Sequence, residues 1–265
     1  MPTPFEILLD PISLILLAIY GALITIEFIM PNSPLKKIEG WFVKSTLVFV
    51  VYFYLSTYLP LIWDKYLLPY QLFNLQEMNP FVSTAIALAV FELLIYIWHR
   101  TMHRNEFLWR TFHQMHHSAE RLDTFGTFYF SPLDMIGFTF IGSLTLSVFV
   151  GLSPEAVSWF LYINMFLVIF QHANIKTPQW LGYIIQRPES HSVHHQKGVH
   201  AFNYSDLPIF DIIFGTFKNP KYFSKKVGFY DGASHKLKDI LLFKNINPQN
   251  EIPKVKIDPE GKVNS

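Results

Sequence analysis

Five apolar stretches set the rhythm of the chain, at residues 11–30, 42–63, 81–98, 136–151 and 156–170. A helix that crosses a bilayer needs about 20 apolar residues, with about 17–25 as the working range. The first three stretches meet that length. The last two fall short, and Gly151-Leu152-Ser153-Pro154 separates them as a turn. They are expected to form a tight helical hairpin that crosses the membrane, or one that enters and returns. The pattern predicts an all-α, integral-membrane helical bundle of about 4–5 membrane segments. The last twenty residues, INPQNEIPKVKIDPEGKVNS, are polar and contain proline, the composition of a loose tail. No internal repeat or low-complexity tract is evident.

Composition strengthens the membrane reading. Of the 265 residues 51% are apolar, 17% aromatic and only 15% charged, where a soluble domain carries about 25% charged residues. Mean hydropathy is +0.24. A formal net charge of +1 offers no field for nucleic acid. The absence of cysteine excludes disulfides, iron–sulfur clusters and thiolate zinc sites. The N-terminus MPTPFEILLDP lacks a basic region and no small-residue cleavage site follows, so the first apolar stretch reads as a retained segment.

Charge gives an orientation. Lys36 and Lys37 lie in the 31–41 loop, only Lys65 in 64–80, Arg100, Arg104, Arg110 and Arg121 in 99–135, none in 152–155, and thirteen Lys and Arg after residue 170. Five spans with an outside N-terminus put the basic pieces on the cytoplasmic side, in line with the positive-inside rule. Trp41, Trp63 and Trp98 sit at stretch edges, as interfacial anchors do.

Histidine is concentrated on that same side. Eight of the eleven histidines fall in two bursts, HRTMHRNEFLWRTFHQMHH from His99 to His117 and HSVHH from His191 to His195. His99 and His103 are four apart and share a helix face. His113, His116 and His117 have the spacing i, i+3, i+4, and His191, His194 and His195 repeat it. Neutral imidazole is a common ligand for zinc, copper, iron and nickel. Eight histidines exceed the about four ligands of a single zinc ion, so two metals fit the count better. His172, at the end of the fifth stretch, is favoured as a further ligand. His200 and His235 lie outside the spacing and read as ordinary side chains.

Several carboxylates are open to two readings. Glu92 lies seven residues before His99, on one helix face with it and Tyr96; it either orients an imidazole or bonds a neighbouring helix. Asp123 is a partner of the ligands or a turn residue. Asp211, in LPIFDIIFGTF, orients an imidazole or is a solvated helix position. Glu27 is expected at the membrane interface and Asp134 as the cap of the fourth helix. The chain has no HExxH, no Glu-x-x-His pair, no GxGxxG, no Walker motif and no GxSxG. Zinc-peptidase, carboxylate di-iron, nucleotide-binding and serine-hydrolase chemistry therefore lack their signatures.

HRTMH, HQMHH and HSVHH, in that order, resemble the three histidine boxes of the fatty acid hydroxylase / sterol desaturase superfamily. LWRTFHQMHHS, LD, SPLD, QHAN and NYSDLPIFDIIFGTF extend the likeness over roughly residues 80–220. The resemblance implies a non-haem di-iron centre, O2 as co-substrate and a lipid substrate. It implies metal ligation by His99, His103, His113, His116, His117, His172, His191, His194 and His195. Asn174 and Lys176 stand where some members have one more histidine. No HPGG haem signature occurs, so a separate electron donor is expected, of cytochrome b5, ferredoxin or reductase type.

The expected organisation is a single membrane oxygenase domain over 1–265, with membrane helices in 1–80, the histidine-box region in 81–220 and a polar tail in 221–265. A di-metal cap faces the cytosol, from a bacterial inner membrane or endoplasmic reticulum. The expected activity is hydroxylation or desaturation of a fatty acyl, sterol or related lipid. The alternatives are a membrane metal-dependent hydrolase and a metal-binding or transport protein. The last would thread polar residues through several spans, and Glu92 is nearly alone there.

Overall fold

A computed structural model describes residues 1–247. All but the first two residues of the expected loose tail lie outside the described residues. Among the described residues, five helices are long and apolar enough to cross a membrane. They are α1 (Pro11–Ile29), α2 (Trp41–Leu67), α3 (Pro80–Arg104), α4 (Pro132–Ser143) and α5 (Pro154–His172). A π-helical stretch, Leu144–Phe149, extends α4 to spanning length. The last two apolar stretches looked short because each helix starts with a polar turn. Ser131 and Ser153 cap α4 and α5 through their hydroxyls, and Pro132 and Pro154 take the first helical position. Serine accepts from an unpaired N–H there, and proline has no N–H to lose.

Helix α1 packs on α5, α2 on α4, and α3 on both α4 and α5. Aromatic stacking joins α1 to α2 through Tyr20 and Phe49 at 4.5 Å, and α2 to the segment before α4 through Tyr52 and Phe128 at 4.8 Å. Large apolar side chains such as Phe28, Val43, Leu47 and Phe81 remain exposed on the outside. In water such a belt would be a liability; in hydrocarbon it is the solvent-matched face.

The two ends of the bundle differ. At one end Phe73–Asn74 pairs in parallel with Val150–Gly151, and Tyr58 and Tyr54 donate to the carbonyls of Pro2 and Pro4. At the other end the connections after α1, α3 and α5 meet. Asn32 N–H donates to Asn174, and Arg121 to the Lys36 carbonyl.

Two residues expected at the interface are instead buried at this second end. Glu27 accepts from Thr124 N–H at 2.8 Å, Thr124 Oγ1 at 2.6 Å and Asn174 N–H at 2.9 Å. It is the knot that ties the loops before α4 and after α5 to α1. Trp41 is 1% exposed, and its indole N–H donates to Asp123. Trp63 donates to Ser143 at 2.7 Å across the α2–α4 seam. Of the three edge tryptophans, Trp41 and Trp63 have polar partners within the protein, and the Trp98 indole nitrogen has none. Glu27→Ala strands two buried backbone N–H groups and is expected to cost about 2–4 kcal/mol. Thermal unfolding in detergent should show a clear fall for Glu27→Ala, a smaller one for Glu27→Gln, and none for exposed Glu77→Ala.

Candidate metal centre

His99 and His103 occupy the last two turns of α3. Asn105 ends that helix, and its side chain caps the next turn by accepting from Leu108 N–H. The chain then doubles back through a π-helical turn, Trp109–His113, into Gln114–His117. Wider turns of this kind recur at functional sites. His172 closes α5. A short helix α6 (Pro188–His194) carries His191 and His194, with His195 just after it.

These elements bring all nine predicted histidines together, each at most 7% exposed. They form two groups. His99, His103, His113, His117 and His194 offer ring nitrogens within 4.8 Å of one another, and His116, His172, His191 and His195 do the same.

The first group has a common orientation. Nδ1 of His99 donates to the Tyr204 carbonyl at 2.7 Å, Nδ1 of His103 to the His200 carbonyl at 2.8 Å, and Nδ1 of His194 to the Phe202 carbonyl at 2.7 Å. His113 Nδ1 meets Asp134 Oδ2 at 2.8 Å, and His117 Nδ1 lies 3.1 Å from His200 Nδ1. A carbonyl can only accept, so those protons sit on Nδ1 and Nε2 keeps a bare lone pair. The Nε2 atoms of all five are buried and have no protein partner. In the second group the nitrogens meet directly: His116, His191 and His195 join through Nε2 contacts of 3.1, 3.0 and 3.1 Å that run through His172 and His191. His172 Nδ1 donates to the Val168 carbonyl at 2.6 Å.

Burial, and then the neighbouring imidazoles, hold His113, His116, His117, His191, His194 and His195 well below the ordinary histidine value. These rings are neutral and their lone pairs are available. A cation fits a donor set of this kind: converging ring nitrogens, outer nitrogens anchored throughout the five-histidine group, and no carboxylate among the converging atoms. This is the usual arrangement of metal-binding histidines.

The expected carboxylates sort themselves by contact. Asp134 is the one that touches a predicted ligand; the capping role expected of it belongs to Ser131, whose hydroxyl accepts from Asp134 N–H. Glu92 accepts from Asp206 and Leu207 N–H at 2.8 and 3.1 Å. Asp211, in the short helix α7 (Ile209–Ile213), accepts from Tyr204 and Ser205 N–H and from Thr216 Oγ1. Both hold the loop that presents the Tyr204 carbonyl to His99, and neither touches an imidazole. Asp123 binds Trp41, Arg121 and Gly126 N–H and is the turn residue. His235 is exposed beside Lys44, as its position outside the pattern predicts. His200 is not the ordinary side chain its spacing implied: it is buried against His117. Asn174 bonds Glu27 and Ser33 rather than the histidines.

The sequence profile of the fatty acid hydroxylase family matches residues 84–216, half the chain and the stretch that holds all nine histidines. The chain belongs to the fatty acid hydroxylase family. Curated relatives agree. An ornithine lipid hydroxylase of Rhizobium tropici is 30% identical over 142 residues, 52% of this chain and 42% of that protein. A very-long-chain aldehyde decarbonylase of Oryza sativa is 29% identical over 139 residues, 49% of this chain and 52% of that one. A sphinganine C4-monooxygenase of Arabidopsis thaliana is 31% identical over 136 residues, 50% and 52% of the two chains. The matches span about half the length of these family members. No solved structure matches the chain.

Because Asp123 serves the turn and not the histidines, Asp123→Ala is expected to cost about 1–3 kcal/mol through the stranded Trp41 indole N–H and the lost Arg121 contact. The melting temperature in detergent should fall, while the metal content of the folded protein stays at the wild-type level.

Proposed function

We propose that this family member is an O2-dependent lipid oxidoreductase, a hydroxylase or desaturase of a fatty acyl, sterol or related lipid. It works with two non-haem irons. The first is held by His99, His103, His113, His117 and His194, the second by His116, His172, His191 and His195. The observation that carries this reading is the convergence of nine buried histidines into two groups at one end of an apolar helix bundle. The hydroxylase and monooxygenase named among the relatives support the chemistry. Imidazole suits several first-row metals. Oxidation of an unactivated C–H bond by O2 needs one that changes oxidation state, which zinc does not. When bound, the iron pair would supply that oxidising power.

The protein's own residues do the rest. Asp134 and the carbonyls of residues 200, 202 and 204 keep protons on the outer ring nitrogens, so the inner ones remain donors to metal. Phe130 packs on His116 at 4.6 Å, and Phe138 on His113 at 5.9 Å. Phe130 lies in the segment before α4 and Phe138 midway along that helix. They shield the histidines on the side from which a lipid chain would come. Trp109 covers His103 and His117 from another side, at 4.9 and 5.1 Å. Excluding water protects a reactive oxidant from side reactions. Electrons come from a separate donor protein. The connections 71–79 and 150–153 at the far end carry no Lys or Arg, which supports a cytoplasmic position for the histidine end.

Protein from iron-supplied cells, purified in mild detergent, is expected to hold two irons per chain, one for each histidine group. Iron-57 Mössbauer spectra and metal analysis measure this. His99→Ala and His194→Ala should each abolish turnover and lower iron content, and oxygen-18 from O2 should enter a hydroxylated product. Full activity in both variants, or zinc alone from iron-supplied cells, would sink the assignment; metal-dependent lipid release without O2 uptake would point to a hydrolase.

A further inference from the structure

The residues just after the third histidine burst have no metal-ligand spacing, yet they surround the five-histidine group. Four of its five Nδ1 partners come from residues 200–204: the His200 carbonyl for His103, His200 Nδ1 for His117, the Phe202 carbonyl for His194 and the Tyr204 carbonyl for His99. The backbone there is unusual. His200, Phe202 and Asn203 have φ of 41°, 70° and 50°, three left-handed non-glycine residues within four positions. Such conformations are uncommon and persist where the surroundings over-determine them. Asn203 donates to the Ser190 and Lys218 carbonyls and accepts from Lys218 N–H. Asp211 holds Tyr204 and Ser205 N–H, and Glu92 holds Asp206 and Leu207 N–H. The four-histidine group takes no ring hydrogen bond from this segment: its one anchored Nδ1 uses Val168.

We propose that residues 200–204 form a strap that fixes the tautomers of four imidazoles in the five-histidine group, with His200 as the positioning residue for His117. The inference rests on the di-metal reading above and concerns one of its two sites. A carbonyl accepts only, so His99, His103 and His194 have their protons set by backbone alone. His117 has no carbonyl. Its proton stays on Nδ1 only while His200 Nδ1 accepts, which requires His200 to carry its own proton on Nε2. Removing that acceptor frees His117 to put its proton on Nε2, the atom that faces the group.

The test compares wild type, His200→Ala and His200→Asn, each purified as full chain from iron-57-supplied cells. Asparagine restores an acceptor oxygen and tolerates left-handed backbone. Iron per chain, Mössbauer spectra and resistance to a chelator are read, none of which depends on turnover. Loss of such an outer partner weakens metal binding about 10–100-fold. His200→Ala should therefore lose one iron to chelator at about 10–100-fold lower concentration, with one Mössbauer component lost and the other kept. The retained component shows that the variant is folded. His200→Asn should recover most of the lost retention. Wild-type chelator resistance in His200→Ala, or parallel loss of both irons in it, overturns the strap. So does an Asn variant as leaky as the Ala one. Fewer than two irons in the wild type overturns the di-metal reading itself, which separates the two failures.

Discussion

The histidine end of this bundle answers to one constraint: nine buried imidazoles share one space, and each must aim a lone pair inward to serve as a donor. A buried polar atom without a partner costs about 1–3 kcal/mol. Five such Nε2 atoms lie together in the first group, a concentration that makes sense only for a site meant to bind a ligand through them. The outward nitrogens must then be pinned, because an imidazole free to switch tautomer would turn an N–H toward its neighbours. Backbone carbonyls are well suited to the task, since they cannot donate.

That requirement reaches far into the fold. The pinning carbonyls belong to a loop, and loops are the mobile parts of most proteins. Here the loop is clamped by carboxylates from two directions, Glu92 inside α3 and Asp211 in α7. An intramembrane carboxylate is expensive, and here Glu92 is fully buried and accepts from two of the loop's N–H groups. Glu27 does the same work on the opposite flank, tying Thr124 and Asn174 to α1. Asn174 lies two residues after His172. Glu92, Asp211 and Glu27 hold backbone, and the backbone holds imidazoles, while Asp134 meets His113 directly.

This layering explains what the sequence revealed and what it hid. The spans were legible because apolar length is a local property, and the two shorter ones were under-read because Ser-Pro caps begin them with polar residues. Eight of the histidines were legible because a helix converts spacings of three and four into a shared face, and His172 because it ends the fifth apolar stretch on the same side. The parts that pin them were not. A carbonyl at Phe202 or Tyr204 has no side-chain signature at all. His200 has one, but the chain reaches its neighbour His117 from a different element, 83 residues away. Asp134 looked like a cap because Ser-Pro-Leu-Asp opens a helix; the serine took that role and freed the carboxylate for His113. Trp41 looked like a membrane anchor because edge position and a buried partner give the same sequence pattern.

The two histidine groups differ in a way that bears on what they hold. In the four-histidine group the ring nitrogens face one another at hydrogen-bonding distance. His172 gives its one proton to Val168, so its Nε2 is a lone pair that can only accept. His191 Nε2 lies 3.0 Å from that lone pair and 3.1 Å from His195 Nε2. His116 Nε2 lies 3.1 Å from the same lone pair. One proton per ring can serve this chain of contacts, with His116 Nε2 donating to His172 and His191 Nε2 donating to His195. Each of those protons then occupies a converging nitrogen. Nδ1 of His116 and of His191 has no partner to hold a proton on the outside. In the five-histidine group the converging Nε2 atoms have no protein partner at all. The first group is therefore open to a cation as it stands, whereas a cation in the second would displace the ring-to-ring hydrogen bonds.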